Sequence, residues 1–549
     1  MSPALDRSLA RFLLIGIGAA IVAVLTWGLY TQHAWEDFYI SYRASRNLAL
    51  GHGLVFQPGE KLHTFTSPLH TLLLAGLAAL DGAREDPVRV LWLYRLIGAV
   101  ALGSALGLVL DLGRWQGSSF VAAAVAAGLV LCDPKTLDFT VAGMEAPLMI
   151  FFLALQLHAL LAGDGWRRLG VAWAGLMWTR PDAFILVVAS LAAVLIFGVT
   201  DRKPLLRRAA AAAALAAALY APWLIAATLY YGSPIPHTVV AKGLGHASAG
   251  DWLRAIVRAP WEMLAHGSVL PRIYGASYVR FASDWGATWL IVWRVLATVA
   301  WLYWLNPRGG RLGRIASLAF FLATLYAASA PFYPWYAPSY ALLASLAWGG
   351  IVGDFAVWLR RDEFSRLGRI GVAAPLALVA ALLVTQGASA AMISRTMRWH
   401  QQLDETGNRR VIGEWLRAHA RAGDTVFLEC VGYIGYYSGL KTHDFPGLTS
   451  REMVAARRRL RTDDYGALIA ALQPDWLVLR PWERDNVRRS QPSLLATDTA
   501  PAAAYELIRT FDRSADVAAL GALPGRRYLQ TDQTFAVYRR RSPQRATTP

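Results

Sequence analysis

Cysteine is nearly missing from this chain: two in 549 residues, Cys132 inside an apolar run and Cys430 far along the sequence. That excludes a disulfide framework and a cysteine-rich metal site. Lysine is scarce too. Lys61, Lys135, Lys203, Lys242 and Lys441 are the only five among 54 basic residues, so arginine carries nearly all the positive charge. Acidic residues number 37, which leaves a formal charge of +17. No internal repeat of fixed period is present, and no low-complexity tract beyond a helix-forming, alanine-rich run over 209–219. The first apolar run, 12–30, follows Arg7 and Arg11 and has no small-residue cleavage signature, so it reads as a retained helix rather than a removed signal peptide.

Apolar sequence is abundant. Hydrophobic residues make up 55% of the chain, mean hydropathy is +0.35, and the apolar residues come in long runs, the pattern of a polytopic α-helical membrane protein. Much of the basic surplus lies in the short gaps between runs: Arg7/Arg11, Arg114, Arg167/Arg168, Arg202/Lys203/Arg207/Arg208, Arg308/Arg311/Arg314 and Arg360/Arg361/Arg366/Arg369. This is the distribution of cytoplasmic loops, not of a nucleic-acid-binding surface.

With those gaps in the cytoplasm, about eleven crossings follow at roughly twenty residues each. They fall near 12–30, 88–112, 118–137, 146–162, 168–180, 183–200, 208–230, 286–305, 315–331, 338–359 and 370–391. Residues after 392 then lie outside. Residues 68–80 span only ~20 Å as a helix, too short to cross. Ser67 as N-cap, Pro68 in the first turn and Asp81-Gly82 as a stop make them a discrete helix in the outer leaflet. Residues 168–200, interrupted by Trp178-Thr179-Arg180-Pro181-Asp182, read as two short helices meeting at the outer face. The tail alternates helical stretches (410–420, 465–472) with strand-like ones (425–428, 476–479, 534–538), which predicts a small extramembrane α/β domain. The expected layout is a transmembrane part over 1–394, with a first outer loop over 31–87, and an extracytoplasmic domain over 395–549.

In this orientation the unusual polar residues gather on one face: Glu36/Asp37; Asp133, Lys135, Asp138 and Glu145; Arg180/Asp182; His237 and Lys242; and the aromatic run 332–336 containing Tyr333. Adjacent carboxylates at a membrane edge are costly to desolvate and mark a functional site. Each element also has a plainer reading. Asp37 suits a helix cap with Glu36 favoured by the dipole, and Glu145 a helix-start acid. Arg43 and Arg46 suit snorkelling or pairing with Glu36, Arg180 and Asp182 suit each other, and the aromatics suit an interface belt. Trp399, Trp415, Trp476 and Trp482 in the tail suit core packing as well as sugar stacking. Lys242 carries a sharper argument, because a lysine is a compact point charge suited to phosphate whereas arginine serves topology equally well. The chemistry these groups fit is sugar transfer from a lipid phosphate. A carboxylate takes the acceptor's proton, and basic residues or a metal stabilise the departing phosphate.

The run Glu36-Asp37-Phe38-Tyr39-Ile40-Ser41-Tyr42-Arg43, continued by Gly51-His52-Gly53-Leu54-Val55-Phe56, Pro58-Gly59-Glu60 and Thr66-Ser67-Pro68-Leu69, resembles the GT-C superfamily of polyprenyl-phosphate-sugar glycosyltransferases. Within it, the run resembles the bacterial branch containing the mycobacterial terminal arabinofuranosyltransferase. Gly143-Met144-Glu145-Ala146-Pro147-Leu148 is similar to that branch's GLETPL, Arg180-Pro181-Asp182 to its RPDG, and Tyr231-Gly232-Ser233-Pro234 through Ala241-Lys242 to its YYGxxxPNTxxAK. Gly432-Tyr433-Ile434-Gly435-Tyr436-Tyr437-Ser438-Gly439 resembles a stretch common near the end of such proteins. Glu36 stands where Asp is commoner, Phe38 for Ala, His70 for Trp and His237 for Asn, departures that bear on sugar identity more than on reaction class.

The resemblance implies a GT-C bundle with a periplasmic domain, in a bacterial inner membrane. It implies an inverting transferase using a polyprenyl-phosphate-linked sugar, arabinofuranose or another pentose or hexose, and a cell-envelope glycan, glycolipid or protein acceptor. One acid of the Glu36/Asp37 pair is then the general base. Family position favours Glu36, with Asp37 as cap or second ligand. Arg43 and Lys242 are candidates for the lipid phosphate, and His237, Glu145, Arg180, Asp182 and Tyr333 for the rest of the substrate site. A divalent cation (Mg or Mn) is left open, since metal use varies across the superfamily. Two other readings are a lipid-sugar flippase, which predicts mid-membrane charges and half-repeats that the sequence does not display, and an inactive glycan-binding membrane protein.

Overall fold

The computed structural model describes residues 3–115, 120–163, 165–198, 200–243, 249–265, 269–275, 282–329, 332–358, 369–496 and 503–541. Arg360, Arg361 and Arg366 of the basic gaps lie outside them. Among the described residues eleven α-helices precede residue 243: α1 (Pro3–Thr31), α2 (Glu36–Ala49), α3 (Pro68–Leu80), α4 (Val88–Trp115), α5 (Phe120–Leu131), α6 (Pro134–Val141), α7 (Ala146–Leu161), α8 (Trp166–Thr179), α9 (Phe184–Phe197), α10 (Arg202–Tyr231) and α11 (His237–Lys242).

Among the described residues six helices are long and apolar enough to cross a membrane, or seven if α5 and α6, bent by 52° at their junction, form one span. The eleven expected crossings are therefore not reproduced by length and composition alone. The run expected over 118–137 breaks at Asp133, whose carboxylate caps α6 by accepting from the Thr136 backbone N–H at 2.8 Å. Residues 146–162 and 183–200 appear as the shorter apolar helices Ala146–Leu161 and Pro181–Phe197. The break predicted at 178–182 is present: α8 ends at Thr179, Arg180 is extended, and a single 3₁₀ turn, Pro181–Ala183, leads into α9. Helix α3 starts as expected, with Ser67 at the N-cap position and Pro68 in the first turn, although the Ser67 hydroxyl makes no cap bond. Helices α1 and α4 meet at Gly16, Gly103 and Gly107, where any Cβ would collide with the partner's backbone, the small-residue contact by which membrane helices approach closely.

The Arg369–Trp399 helix runs on through wider, π-helical turns over His400–Arg410 into the Val411–His419 helix, so the chain enters its C-terminal part without a break. That part contains a five-stranded sheet ordered β2-β1-β3-β5-β4, with β1 Thr425–Leu428, β2 Lys441–Asp444, β3 Trp476–Leu479, β4 Tyr505–Asp512 and β5 Thr534–Arg540. Strand β1 pairs in parallel with β2 and β3, while β5 is antiparallel to β3 and β4. The three strands legible in the sequence, β1, β3 and β5, are the central ones. The two that periodicity missed are the edges. Strand β4 is bulged between Leu507 and Arg509 and largely exposed. Strand β2 is polar because its Asp444 carboxylate accepts from the backbone N–H groups of Leu448 (2.6 Å) and Thr449 (2.8 Å) and so holds the following loop.

The sheet part docks on α2. The Gly432 N–H donates to Glu36 Oε1 at 3.2 Å, and a Cβ at Gly432 would overlap the Glu36 main chain. Gly432→Ala is accordingly expected to destabilise the protein by about 1–3 kcal/mol through forced displacement at this contact. Thermal unfolding of the purified protein in detergent, compared with Gly387→Ala, whose Cβ would meet nothing within 4 Å, checks this.

Candidate active site

Helix α2 is set by its aromatic residues. Trp35, extended at the N-cap position, makes no side-chain cap bond; its carbonyl accepts from the Phe38 N–H at 3.1 Å, its backbone N–H donates to Ala142 O at 3.0 Å and its ring meets Phe139 edge-on at 5.2 Å. Phe38, Tyr39 and Tyr42 are buried behind it. Gly143 must be glycine for this packing, since it has φ +83° and a Cβ there would lie 2.6 Å from Phe38 and 2.8 Å from Leu91. With the helix rotation fixed in this way, consecutive residues point about 100° apart, and Glu36 and Asp37 diverge.

Asp37 lines a cavity of about 400 Å³ together with Glu145, Arg180, Asp182, Lys242, Tyr333, Trp335 and Tyr336. No described residue stands within hydrogen-bond or ion-pair distance of its carboxylate. Removal from water pushes the Asp37 carboxyl above the ordinary aspartate value of 3.8; Lys242 and Arg180 oppose the rise, and Glu145 and Glu429 add to it. Glu36 is not among the cavity-lining residues. Its carboxylate meets Arg409 at 3.2 Å and the Gly432 N–H, on the side of the C-terminal sheet. Nor does Asp37 act as the expected cap, because the helix starts at Glu36 with Trp35 ahead of it.

The opposite wall is built on the α8–α9 break. Arg180 is held on three sides: Nη1 donates to Glu145 Oε1 at 2.7 Å, Nε and Nη2 donate to the two oxygens of Asp182 at 3.0 and 3.1 Å, and Nη2 also donates to the Tyr336 hydroxyl at 2.9 Å. The guanidinium is thus neutralised and rigid, and it acts as a fixed part of the wall more than as a free cation. Lys242, at the end of α11, is different. Its ammonium sits 4.4 Å from the Tyr333 ring centroid and 5.5 Å from that of Trp335, which stack on each other at 4.8 Å and 8°. Burial lowers the Lys242 ammonium's pKa, and Asp37 counteracts that. Three buried hydroxyls that line the same cavity, Thr64, Ser67 and Thr238, have no hydrogen-bond partner among the described residues. Such groups carry unused capacity for a ligand.

Other residues singled out in the sequence lie elsewhere. Arg43 is buried and its donors are engaged: it donates to the main-chain oxygens of Gly435 at 2.6 Å and Gly439 at 3.2 Å and to the Gln57 side-chain Oε1 at 2.9 Å, with its guanidinium 4.2 Å from the Phe56 ring centroid. It ties the α2 helix to the C-terminal part and does not line the cavity. His237 faces Ser450 O at 3.4 Å and is likewise outside it. Asp138 pairs with His33 at 3.0 Å, and Lys135 is enclosed by the carbonyls of Arg272 and Gly275. Among the described residues no group of three or more His, Cys, Asp or Glu side chains is arranged to hold a metal ion. Sequence reasoning missed Arg409 altogether. Lying in a polar helical stretch with no motif, it bridges Glu36, Glu405 at 2.7 Å and Asp532 at 2.6 Å.

Comparison with known proteins bears on the whole arrangement. The chain superposes on the crystal structure of ArnT from Cupriavidus metallidurans bound to undecaprenyl phosphate with a TM-score of 0.52, covering 96% of this chain and 98% of that one at 13% identity. The apo structure of the same protein gives 0.51 with the same coverage at 14% identity. This chain has the GT-C fold. The chain is also 28% identical over 173 residues to the terminal beta-(1->2)-arabinofuranosyltransferase of Mycobacterium tuberculosis, covering 30% of this chain and 25% of that protein. For the enzyme of the same name from Corynebacterium glutamicum the figures are 27% over 262 residues, 42% of this chain and 37% of the relative. The match thus spans well under half the length of either relative. Residues 395–538 match a family described as a domain of unknown function, DUF8728.

Proposed function

We propose that this protein is an inverting glycosyltransferase that moves a sugar from a polyprenyl-phosphate donor to a hydroxyl acceptor, with Asp37 as the general base. The observation that carries the proposal is an unpaired carboxylate and a ring-held lysine sharing one cavity whose remaining acids are already engaged by Arg180. The acceptor oxygen bonds to the anomeric carbon while the bond from that carbon to the phosphate oxygen breaks. The hydroxyl proton passes to Asp37 and the bonding pair leaves with the phosphate, whose added charge Lys242 meets. Attack from the side opposite the departing phosphate inverts the anomeric centre. The fold shared with ArnT, a protein solved with undecaprenyl phosphate, and the similarity to two arabinofuranosyltransferases support a lipid-phosphate donor and make arabinofuranose the first sugar to try. The positions of the basic loops support a site on the outer face of a bacterial inner membrane, with residues 31–87 and the part from 395 onward on that side and an envelope glycan, glycolipid or protein as acceptor.

The test is turnover by the purified protein in lipid nanodiscs with polyprenyl-phosphoryl arabinofuranose. One free polyprenyl phosphate should appear per sugar transferred, and the product should have inverted anomeric configuration by NMR. Retained configuration would sink the single-displacement mechanism. Lys242→Met is expected to raise the donor KM by roughly 10–100-fold, the worth of one charge-assisted hydrogen bond to phosphate. Because Lys242 also holds the Asp37 carboxyl down, the same variant should move the acid limb of the pH–rate profile to higher pH.

A further inference from the structure

The C-terminal sheet turns a specific end toward the catalytic helix. From β1 the chain goes by way of the Tyr433–Ser438 helix to β2 on one side, then by way of the Arg451–Leu460 and Tyr465–Leu472 helices to β3 on the other side of β1. The connections therefore diverge from β1, and the crevice at the carboxyl ends of β1 and β3 is a topological switch point, the place where open α/β sheets bind ligands. This same end abuts α2, through Gly432 and Glu36, and the loop after β2 contributes Leu448 to the cavity wall.

Two residues stand at that crevice with capacity to spare. Glu429 directly follows β1. Its Oε2 pairs with Arg480, which follows β3, while its Oε1 has no partner among the described residues and its side chain is 39% exposed. Trp482, two residues beyond Arg480, is 50% exposed, with its ring 4.9 Å from the Arg480 guanidinium. Arg480 itself is buried and anchored by Glu483 at 2.7 Å and Asp532 at 3.1 Å, so both neighbours rest on a rigid base. The negative charge of Glu429 reaches Asp37 and Glu36, raising both carboxyls.

We propose that Glu429 and Trp482 form the acceptor subsite, which takes a sugar residue of a glycan acceptor by stacking one face of its ring on Trp482 while a hydroxyl donates to Glu429. A fixed carboxylate beside an exposed indole matches the two surfaces of a pyranose or furanose ring, its hydroxyl rim and its C–H face. The inference rests on the transferase reading above and assigns it a glycan acceptor in place of a protein or lipid one.

The probes are octyl glycosides of arabinofuranose, mannose and glucose, with binding to the full-length protein in nanodiscs followed by saturation-transfer NMR. At least one glycoside should bind, and Glu429→Gln and Trp482→Ala should each weaken it about 10-fold or more. Both variants should fold, because Arg480 keeps two carboxylate partners without Glu429 and Trp482 is already half exposed; an unchanged thermal midpoint verifies this. Failure of all three glycosides to bind, or binding that neither substitution weakens, overturns the subsite. Unimpaired turnover by Asp37→Asn would instead overturn the catalytic reading and leave the binding result standing, so the two failures are distinguishable.

Discussion

Asp37→Asn is expected to lower kcat by about 10²–10⁴-fold with little change in donor KM, the range for loss of a positioned general base. Asparagine matches aspartate in size and cannot take the acceptor proton. Since no described residue pairs with the Asp37 carboxylate, the substitution breaks no ion pair and the protein should remain folded. Glu36→Gln is the informative contrast. Its amide retains the contact with the Gly432 N–H, and Glu36 is not among the cavity-lining residues, so turnover should fall far less than for Asp37→Asn. If the two variants ranked the other way, the base would be Glu36. The pH dependence gives a second readout. A base works only when deprotonated, and burial holds the Asp37 carboxyl above 3.8, so kcat/KM should decline, as pH falls, at a higher pH than an ordinary aspartate would set. That limb should vanish from the residual activity of Asp37→Asn.

Arg409→Ala is expected to cost about 3–5 kcal/mol, the usual price of removing one partner from a buried charge cluster. Arg409 is buried among Glu36, Glu405 and Asp532, and Asp532 is shared with Arg480. Removing the guanidinium leaves these acids facing one another out of water, and it undoes the link between α2 and the C-terminal sheet at the same time. Loss of folded protein on thermal unfolding, and increased proteolysis near residues 400–410, would report it. Activity in the surviving fraction should fall through misplacement of Asp37, so the damage should appear in kcat as well as in yield. Arg409→Lys should recover part of the stability, because one ammonium replaces a fork that served three carboxylates.

Much of the architecture was legible in the chain. The apolar runs, the break at Arg180-Pro181-Asp182, the discrete helix at Pro68 and the central strands of the tail all follow from local composition, because burial in a bilayer or at a sheet centre demands apolar residues with a fixed period. The edge strands and the bend at Asp133 escaped, because an edge needs no apolar pattern and a capped bend looks like one continuous run. The membrane-length count suffered for the same reason: several bundle helices are short and lean on neighbours.

The Glu36-Asp37-Phe38-Tyr39 run, Glu145, Arg180-Pro181-Asp182, Lys242 and the aromatic run at 332–336 stood out in the sequence by themselves, as residue types that do not sit at a membrane edge without a partner or a task. The convergence of Asp37, Glu145, Arg180, Asp182, Lys242 and the aromatics of 332–336 on one cavity is a property of the bundle. Only the tertiary structure separated the two adjacent acids, turned Arg43 and His237 away from the cavity, and supplied Arg409 as the partner of Glu36. The physical reason is rotational. Neighbours on a helix face directions about 100° apart, and which of them meets the cavity is fixed by how Trp35, Phe38 and Tyr42 pack against residues distant in sequence.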